Sequence, residues 1–321
     1  VEKMKKTVSL FLFLFLSCSF FGQDNVFFKY WEDSLIVLRN NSINASNDIE
    51  KLQKNEDFMN LLEEILEEKN SFKYNWSTTS NFSVVTSSDK QLKIFTWNVM
   101  KKDFSCENFG FLQVYNENRK KYILYPLFDN RNLIDYPSTF VGNHNHWYGA
   151  IYYDIILIES KHKKYYTLLG YNANNLFSNQ KVIDVLSFKS DGTPIFGAFI
   201  FKKYPQKVSR VLFEYSKKAT FTLKYEKQSY DVSTGKRDPK TRKLIYKNIP
   251  AKMIIFEQLV PLDDGLDGIT AFLVPESSLN QGFIENEGKW LFLPNVKGRN
   301  PDKENPKYIK RNRNFKKNRY E

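Results

Sequence analysis

The apolar positions of this chain change period once. Between Asn25 and Ser71 the period is helical. "NVFFKYWEDSLIVLRNN" sets Phe27, Tyr30, Trp31, Leu35 and Leu38 at helical spacings, and "SNDIEKLQKNEDFMNLLEEILEEKNS" does the same with Ile49, Leu52, Phe58, Leu62 and Ile65. Asn47 followed by Glu50 predicts a capping box: the Asn side chain accepts from the first turn while the carboxylate returns to the cap. The acidic positions Glu63, Glu64, Glu67 and Glu68 read as a solvated face.

From Ser71 onward the period is that of strands. Short aromatic and β-branched runs such as "LKIFTWNV", "FGFLQVYN", "KYILYPLFD", "WYGAIYYDIILIE", "VIDVLSF" and "MIIFEQL" are separated by turn residues. "SSDKQ" (Ser87–Gln91), "KSDGTP" (Lys189–Pro194) and "NEGK" (Asn286–Lys289) predict hairpins, the last two with a glycine for positive φ. The expected fold is mainly β: antiparallel β-sheets preceded by two N-terminal helices. "VVTSSDKQLKIFTWNV" and "VLSFKSDGTPIFGAFIF" resemble each other, but they begin at Val84 and Val185, far beyond the about 40 to 45 residues of a propeller blade. Propeller-like and stacked sheets both stay open. Composition supports β structure, with 28 Phe and 19 Tyr among 321 residues.

The N-terminus adds a destination. Met4-Lys5-Lys6, the apolar run Val8 to Leu16 and the small or polar exit Ser17 to Gln23 have the layout of a secretory signal, with Val1 to Lys3 upstream of a start at Met4. The expected division is a signal at 1–23, a helical segment at 24–70, a β domain at 71–300 with a Lys-rich hairpin insert at about 226–250, and a basic tail at 301–321. The expected location is periplasmic, outer-membrane-associated or secreted, with no transmembrane helix in the mature form. Lipidation at Cys18 is the less favoured route: Ser17 suits a lipoprotein signal, whereas Phe15 does not. Removal of the signal leaves Cys106 as the sole cysteine and no intramolecular disulfide.

The formal charge is +12, and much of the excess sits in the insert and the tail. In the tail Lys310, Arg311, Arg313, Lys316, Lys317 and Arg319 alternate with Tyr308, Phe315 and Tyr320, a pattern that can contact a polyanion or an anionic surface by charge and stacking. A solvated terminus is the plainer reading.

Chemistry has few candidates. The chain lacks G-x-S-x-G, a phosphate-binding G-x-x-x-x-G-K-[ST], H-E-x-x-H and C-x-x-C, so no motif points to a cofactor. "GNHNHWYGA" (Gly142 to Ala150) holds two of the three histidines. In an extended segment His144 and His146 project to one face and can share a metal, with Asp135, Asp154 or Glu159 completing the site and His162 set among lysines. The competing expectation is a polar loop ahead of a strand. "PLDDGLDGIT" carries Asp263, Asp264 and Asp267 but has Gly265 where a calcium loop needs an oxygen. Trp147 and Tyr148, with Trp97, Tyr152, Tyr153 and Trp290, are candidates for a ligand-stacking platform.

One resemblance covers roughly Tyr165 to Asn300 without the insert. The consecutive runs "YYTLLGYN", "KVIDVLSFKSDGTPIFGAFIFK", "RVLFEYS" and "GKWLFLPNV" look similar to uncharacterised secreted proteins of Bacteroidota. The resemblance implies a β-rich exported protein and brings no activity and no site residues. The expected function is a non-catalytic envelope or extracellular binding module. A polymer hydrolase with separated Asp and Glu as acid and base, and polyanion binding through the insert and tail, are the alternatives.

Overall fold

The computed structural model of the chain describes residues 25–76, 81–117, 119–160 and 163–296. The predicted export signal with Cys18, His162, and the tail with Lys310, Arg311, Arg313, Lys316, Lys317 and Arg319 lie outside the described residues. Helix α1 occupies 25–43 and α2 Asp48–Glu67. Asn47 caps α2 by accepting from the Glu50 amide at 2.9 Å, but the Glu50 carboxylate returns one residue earlier than a capping box predicts, to the amide and hydroxyl of Ser46. The buried face of α2 (Asn55, Phe58, Leu62, Ile65, Leu66) follows the predicted stripe, while Ile49 is exposed.

The stripe on α1 is rotated from the expected one. Phe28, Glu32, Leu35, Arg39 and Ser42 face inward, and Phe27 and Tyr30 face solvent. Two charged residues on the buried face disguised it in the sequence. Glu32 accepts from Tyr74 Oη at 2.8 Å, and Arg39 donates to the carbonyls of Asn81 and Asn98, so each charge is buried with partners.

Three sheets stack behind the helices. The first is a meander of β1 (Ser83–Thr86), β2 (Leu92–Met100), β3 (Cys106–Asn116) and β4 (Lys121–Phe128). The second holds β5 (Gly142–Asn143), β6 (Ile151–Ser160), β7 (Lys163–Asn172), β8 (Ser178–Phe188) and β9 (Pro194–Phe196) in the order β5-β9-β8-β7-β6. The chain then passes through β10 (Phe201–Lys202) to β11 (Val211–Ser216), which joins β8. The third contains β12 (Leu223–Arg237), β13 (Leu244–Pro261), β14 (Leu273–Asn286) and β15 (Lys289–Val296), closed at its far edge by β10, which runs parallel to β15. All other strand pairs between these elements are antiparallel.

Successive layers share hydrophobic cores. Phe58, Leu62, Phe95, Trp97 and Phe111 fill the space between helices and first sheet; Ile94, Leu112, Trp147, Leu168 and Val182 fill the next. Leu169, Ile183, Val185, Phe256, Phe283 and Trp290 join the second sheet to the third. The sheets stack and do not radiate as blades. Because the first two sheets are covered on both faces, β2, β7 and β8 read as near-continuous apolar runs and not as a clean alternation.

A charged pair sits inside this stack among other buried polar side chains. Asp184 of β8 and Arg210 are both fully buried and paired, Nε to Oδ1, at 3.1 Å. The other carboxylate oxygen accepts from Tyr152 Oη at 3.1 Å, and that hydroxyl accepts from Trp147 Nε1 at 2.9 Å. Arg210 Nη1 reaches the carbonyls of Pro137 at 2.8 Å and Phe140 at 3.2 Å, pinning the connection ahead of β5. A buried ion pair adds little over an apolar pair of the same size, but removing one partner strands a charge. Asp184→Ala is therefore expected to cost about 3–5 kcal/mol in urea unfolding followed by tryptophan fluorescence, and Asp184→Leu combined with Arg210→Met to recover most of the loss. A double variant as unstable as the single one contradicts this reading of the pair.

Candidate functional site

The residues of "GNHNHWYGA" are built into the junction between the first two sheets. Asn143 caps a single 3₁₀ turn, His144–His146, by accepting from the Asn145 amide at 3.0 Å. At about three residues per turn, positions two apart point away from each other, so His144 and His146 do not share a face as an extended segment requires. His146 is exposed, with Nδ1 3.2 Å from Asn143 Oδ1. His144 is half-buried edge-on against Tyr125, ring centroids 5.2 Å apart. Among the described residues no group of three His, Cys, Asp or Glu is placed to hold a metal ion.

Trp147 and Tyr148 are buried, which removes them from any surface platform. The Trp147 amide donates to the Phe128 carbonyl at 3.0 Å, stitching the end of β4 to the second sheet. Tyr148 donates to Gln180 Oε1 at 2.8 Å beneath the Arg210 guanidinium, and burial pushes its phenol up to about 12. A Cβ on Gly149 would lie 2.3 Å from the Asp129 carboxylate that accepts the Gly149 amide, so only glycine fits there. Trp97, Tyr152 and Trp290 are core residues as well; of the predicted platform, Tyr153 alone reaches solvent. In the acidic loop Asp263 caps a short turn by accepting from Gly265, the ordinary use of Asp in a turn. Cys106 is buried, and burial pushes its thiol pKa up, away from the thiolate form that a nucleophile needs.

An open site lies where hairpin turns of the first two sheets meet. The β1–β2 turn (Ser87–Gln91) and the β8–β9 turn (Lys189–Thr193), the two Ser-Asp hairpins whose likeness the sequence displays, both contribute to it. Together with the ends of β3, β4 and β7 they enclose a groove of about 510 Å³. Tyr115, Asn116, Glu117 and Tyr125 line it from the first sheet, and Lys163, Lys164, Tyr166, Phe188, Lys189 and Asp191 from the second.

Hydrogen bonds fix the frame of this groove. Tyr125 Oη donates to the Gly192 carbonyl at 3.1 Å, bridging the two sheets. Behind it Asp89 accepts from Ser87 Oγ at 2.6 Å, Tyr166 Oη at 3.0 Å and Lys164 Nζ at 3.1 Å. Burial pushes the Asp89 carboxyl up, but these bonds outweigh it and hold the group below the usual carboxylate range. The same contact raises the Lys164 ammonium, so the pair stays charged. Lys163, with its ammonium 5.2 Å from the Tyr165 ring, and Lys189 stand exposed at the rim. Asp191 accepts from the Thr193 amide at 2.8 Å, and that bond lowers its pKa; a general acid needs the opposite shift.

None of these groove residues stands out in the sequence as a site. Their turns are legible as hairpins, but the sequence does not state that turns a hundred residues apart end at one place. In comparison with known proteins, no family, no curated protein and no solved structure matches this chain. The histidines yield a direct check. Burial holds the His144 imidazole below its usual 6.5, so it is neutral at pH 7. Its stabilising contribution is present above pH 6.5 and is lost as pH falls through the lowered folded value. An NMR titration is expected to place the His144 midpoint below 6.5, and one equivalent of zinc to leave the signals of His144 and His146 unmoved; a coordinated shift of both contradicts this geometry.

Proposed function

We propose that this chain is an exported, non-catalytic binding protein, and that its ligand is an acidic carbohydrate held in the groove between the first and second sheets. The observation that carries the reading is the pairing of tyrosine and lysine in the groove lining. Tyr115 and Tyr125 line it from the first sheet with rings that carry polar tips, while Lys163 and Lys189 line it from the second with cations. Its volume of about 510 Å³ suits a ligand of a few rings, within the roughly 300–1,000 Å³ of small-molecule sites.

Other observations agree. Hydrolysis of a glycosidic bond needs one carboxyl group raised to act as an acid, and the groove's Asp191 is shifted the other way. Asp154, whose carboxyl burial does raise, lies on β6 outside the groove lining. Export rests on the layout of Met4 to Gln23 and fits a chain in which no described helix is long and apolar enough to cross a membrane. The likeness to secreted proteins of Bacteroidota is consistent with it.

Calorimetric titration with a short oligogalacturonate and with a neutral oligoglucose of equal length tests the proposal. The acidic sugar is expected to bind at least tenfold more tightly, about 1.4 kcal/mol, and Lys163→Ala with Lys189→Ala to remove that preference. Tyr115→Ala is expected to weaken both sugars. Equal binding of the two sugars, or cleavage of either, overturns the proposal.

A further inference from the structure

The Lys-rich hairpin insert is the free end of two paired strands. β13 pairs with β14 only from Met253 onward; from Lys252 back to Leu244 its partner is β12 alone. At about 3.3 Å per residue this two-stranded ribbon projects roughly 30 Å beyond the third sheet. An isolated two-stranded ribbon is marginal in water, because it has no third element on which to bury side chains.

Its tip has an unusual surface. Lys236, Arg237, Lys240, Arg242, Lys243 and Lys247 are all exposed, and the one acid among them, Asp238, turns its carboxylate onto the amides of Lys240 at 2.9 Å and Thr241 at 2.6 Å. Arg237 Nη1 donates to the Arg242 carbonyl at 2.9 Å, closing the turn. Directly behind the cations Leu244, Ile245 and Tyr246 are exposed by 38%, 40% and 56%. Strand alternation puts Leu244 and Tyr246 on one face and Ile245 on the other, so both faces of the ribbon are apolar just behind the charged turn.

We infer that this ribbon docks on an anionic lipid surface, its cations meeting headgroup phosphates and Leu244, Ile245 and Tyr246 entering the interface. The charge selects for a polyanion, and the aliphatic pair selects among polyanions. Bases of a nucleic acid stack on flat rings, which Leu244 and Ile245 lack, whereas branched aliphatic side chains beside a tyrosine partition into the boundary between headgroups and acyl chains. The ribbon then carries the body of the protein at a fixed distance from the surface, with the saccharide groove on a different pair of sheets. The inference does not depend on what that groove binds.

Vesicle flotation of the full chain tests it, with phosphatidylcholine vesicles and with vesicles containing 30% phosphatidylglycerol as the probes. The chain is expected to float with the anionic vesicles at least tenfold more than with the zwitterionic ones. Lys240→Glu with Arg242→Glu and Lys243→Glu is expected to abolish flotation. Leu244→Ser with Ile245→Ser is expected to lower it at least fivefold at 0.3 M salt, where charge alone is weakened. Circular dichroism verifies that each variant is folded. Truncation after Asn305, which removes the tail's cations, is expected to leave most of the flotation in place. Flotation lost with the tail but kept in the ribbon variants overturns the inference. So does an intact response of the Leu244 and Ile245 variant, or binding to a DNA duplex that outcompetes the anionic vesicles.

Discussion

One buried charge pair ties three parts of the fold together. Asp184 and Arg210 lie where three parts of the chain meet: the centre of the second sheet, the Pro137 to Phe140 connection and the Trp147–Tyr152 pair. In a dry interior such a pair needs its hydrogen-bonding groups met; Tyr152, the Val185 amide and two backbone carbonyls meet most of them, while Arg210 Nη2 finds no partner among the described residues. Burial raises the Tyr152 phenol well above its ordinary value, which keeps it a donor to the carboxylate. The pair gains specificity more than stability. The guanidinium holds the connection by its Pro137 and Phe140 carbonyls, and the chain that follows carries Trp147 into the core and Gly149 against Asp129.

This arrangement separates the structural chemistry from the functional surface. The residues with the most concentrated chemistry, His144 to Tyr152, are spent on joining the first sheet to the second. What remains open lies at the periphery: hairpin turns that frame a groove, and a ribbon that leaves the third sheet. A rigid stack with variable turns is a common way of placing binding residues. In this chain the tyrosines of the groove are oriented by bonds from the frame, as Tyr125 is by the Gly192 carbonyl and Tyr166 by Asp89.

Much of the architecture is legible in the sequence. The change of period at Ser71, the cap at Asn47 and the Asp-Gly and Glu-Gly turns all appear where they were read, with Gly192 and Gly288 at positive φ. The face of α1 was not legible, because Glu32 and Arg39 stand at buried positions and a hydrophobic count rejects them. Stacking against a propeller was undecided for a related reason: strands buried on both faces lose the alternation that would reveal which side is core. The site fared worst. Two neighbouring histidines are rare enough in this chain to stand out, yet local backbone decides whether neighbours share a face, and Asn143 imposes a turn where shared ligation needs a strand. The burial of Trp147 and Tyr148 is not legible in the sequence, because it depends on what packs over the segment: Tyr148 finds Gln180, 32 residues on, and Trp147 pairs with Tyr152 inside the core.

The central claim is that the Asp184–Arg210 pair holds the segment from Pro137 to Gly149 in place and that this segment is structural. Hydrogen exchange on the Asp184→Asn variant tests it most directly, since the substitution keeps the shape and removes the charge. The account predicts that amides of Phe140 and Trp147 lose at least tenfold in protection, about 1.4 kcal/mol, while those of Met253 to Phe256 in the third sheet keep theirs. Unchanged exchange at Phe140 and Trp147, or an equal loss in both regions, would contradict it.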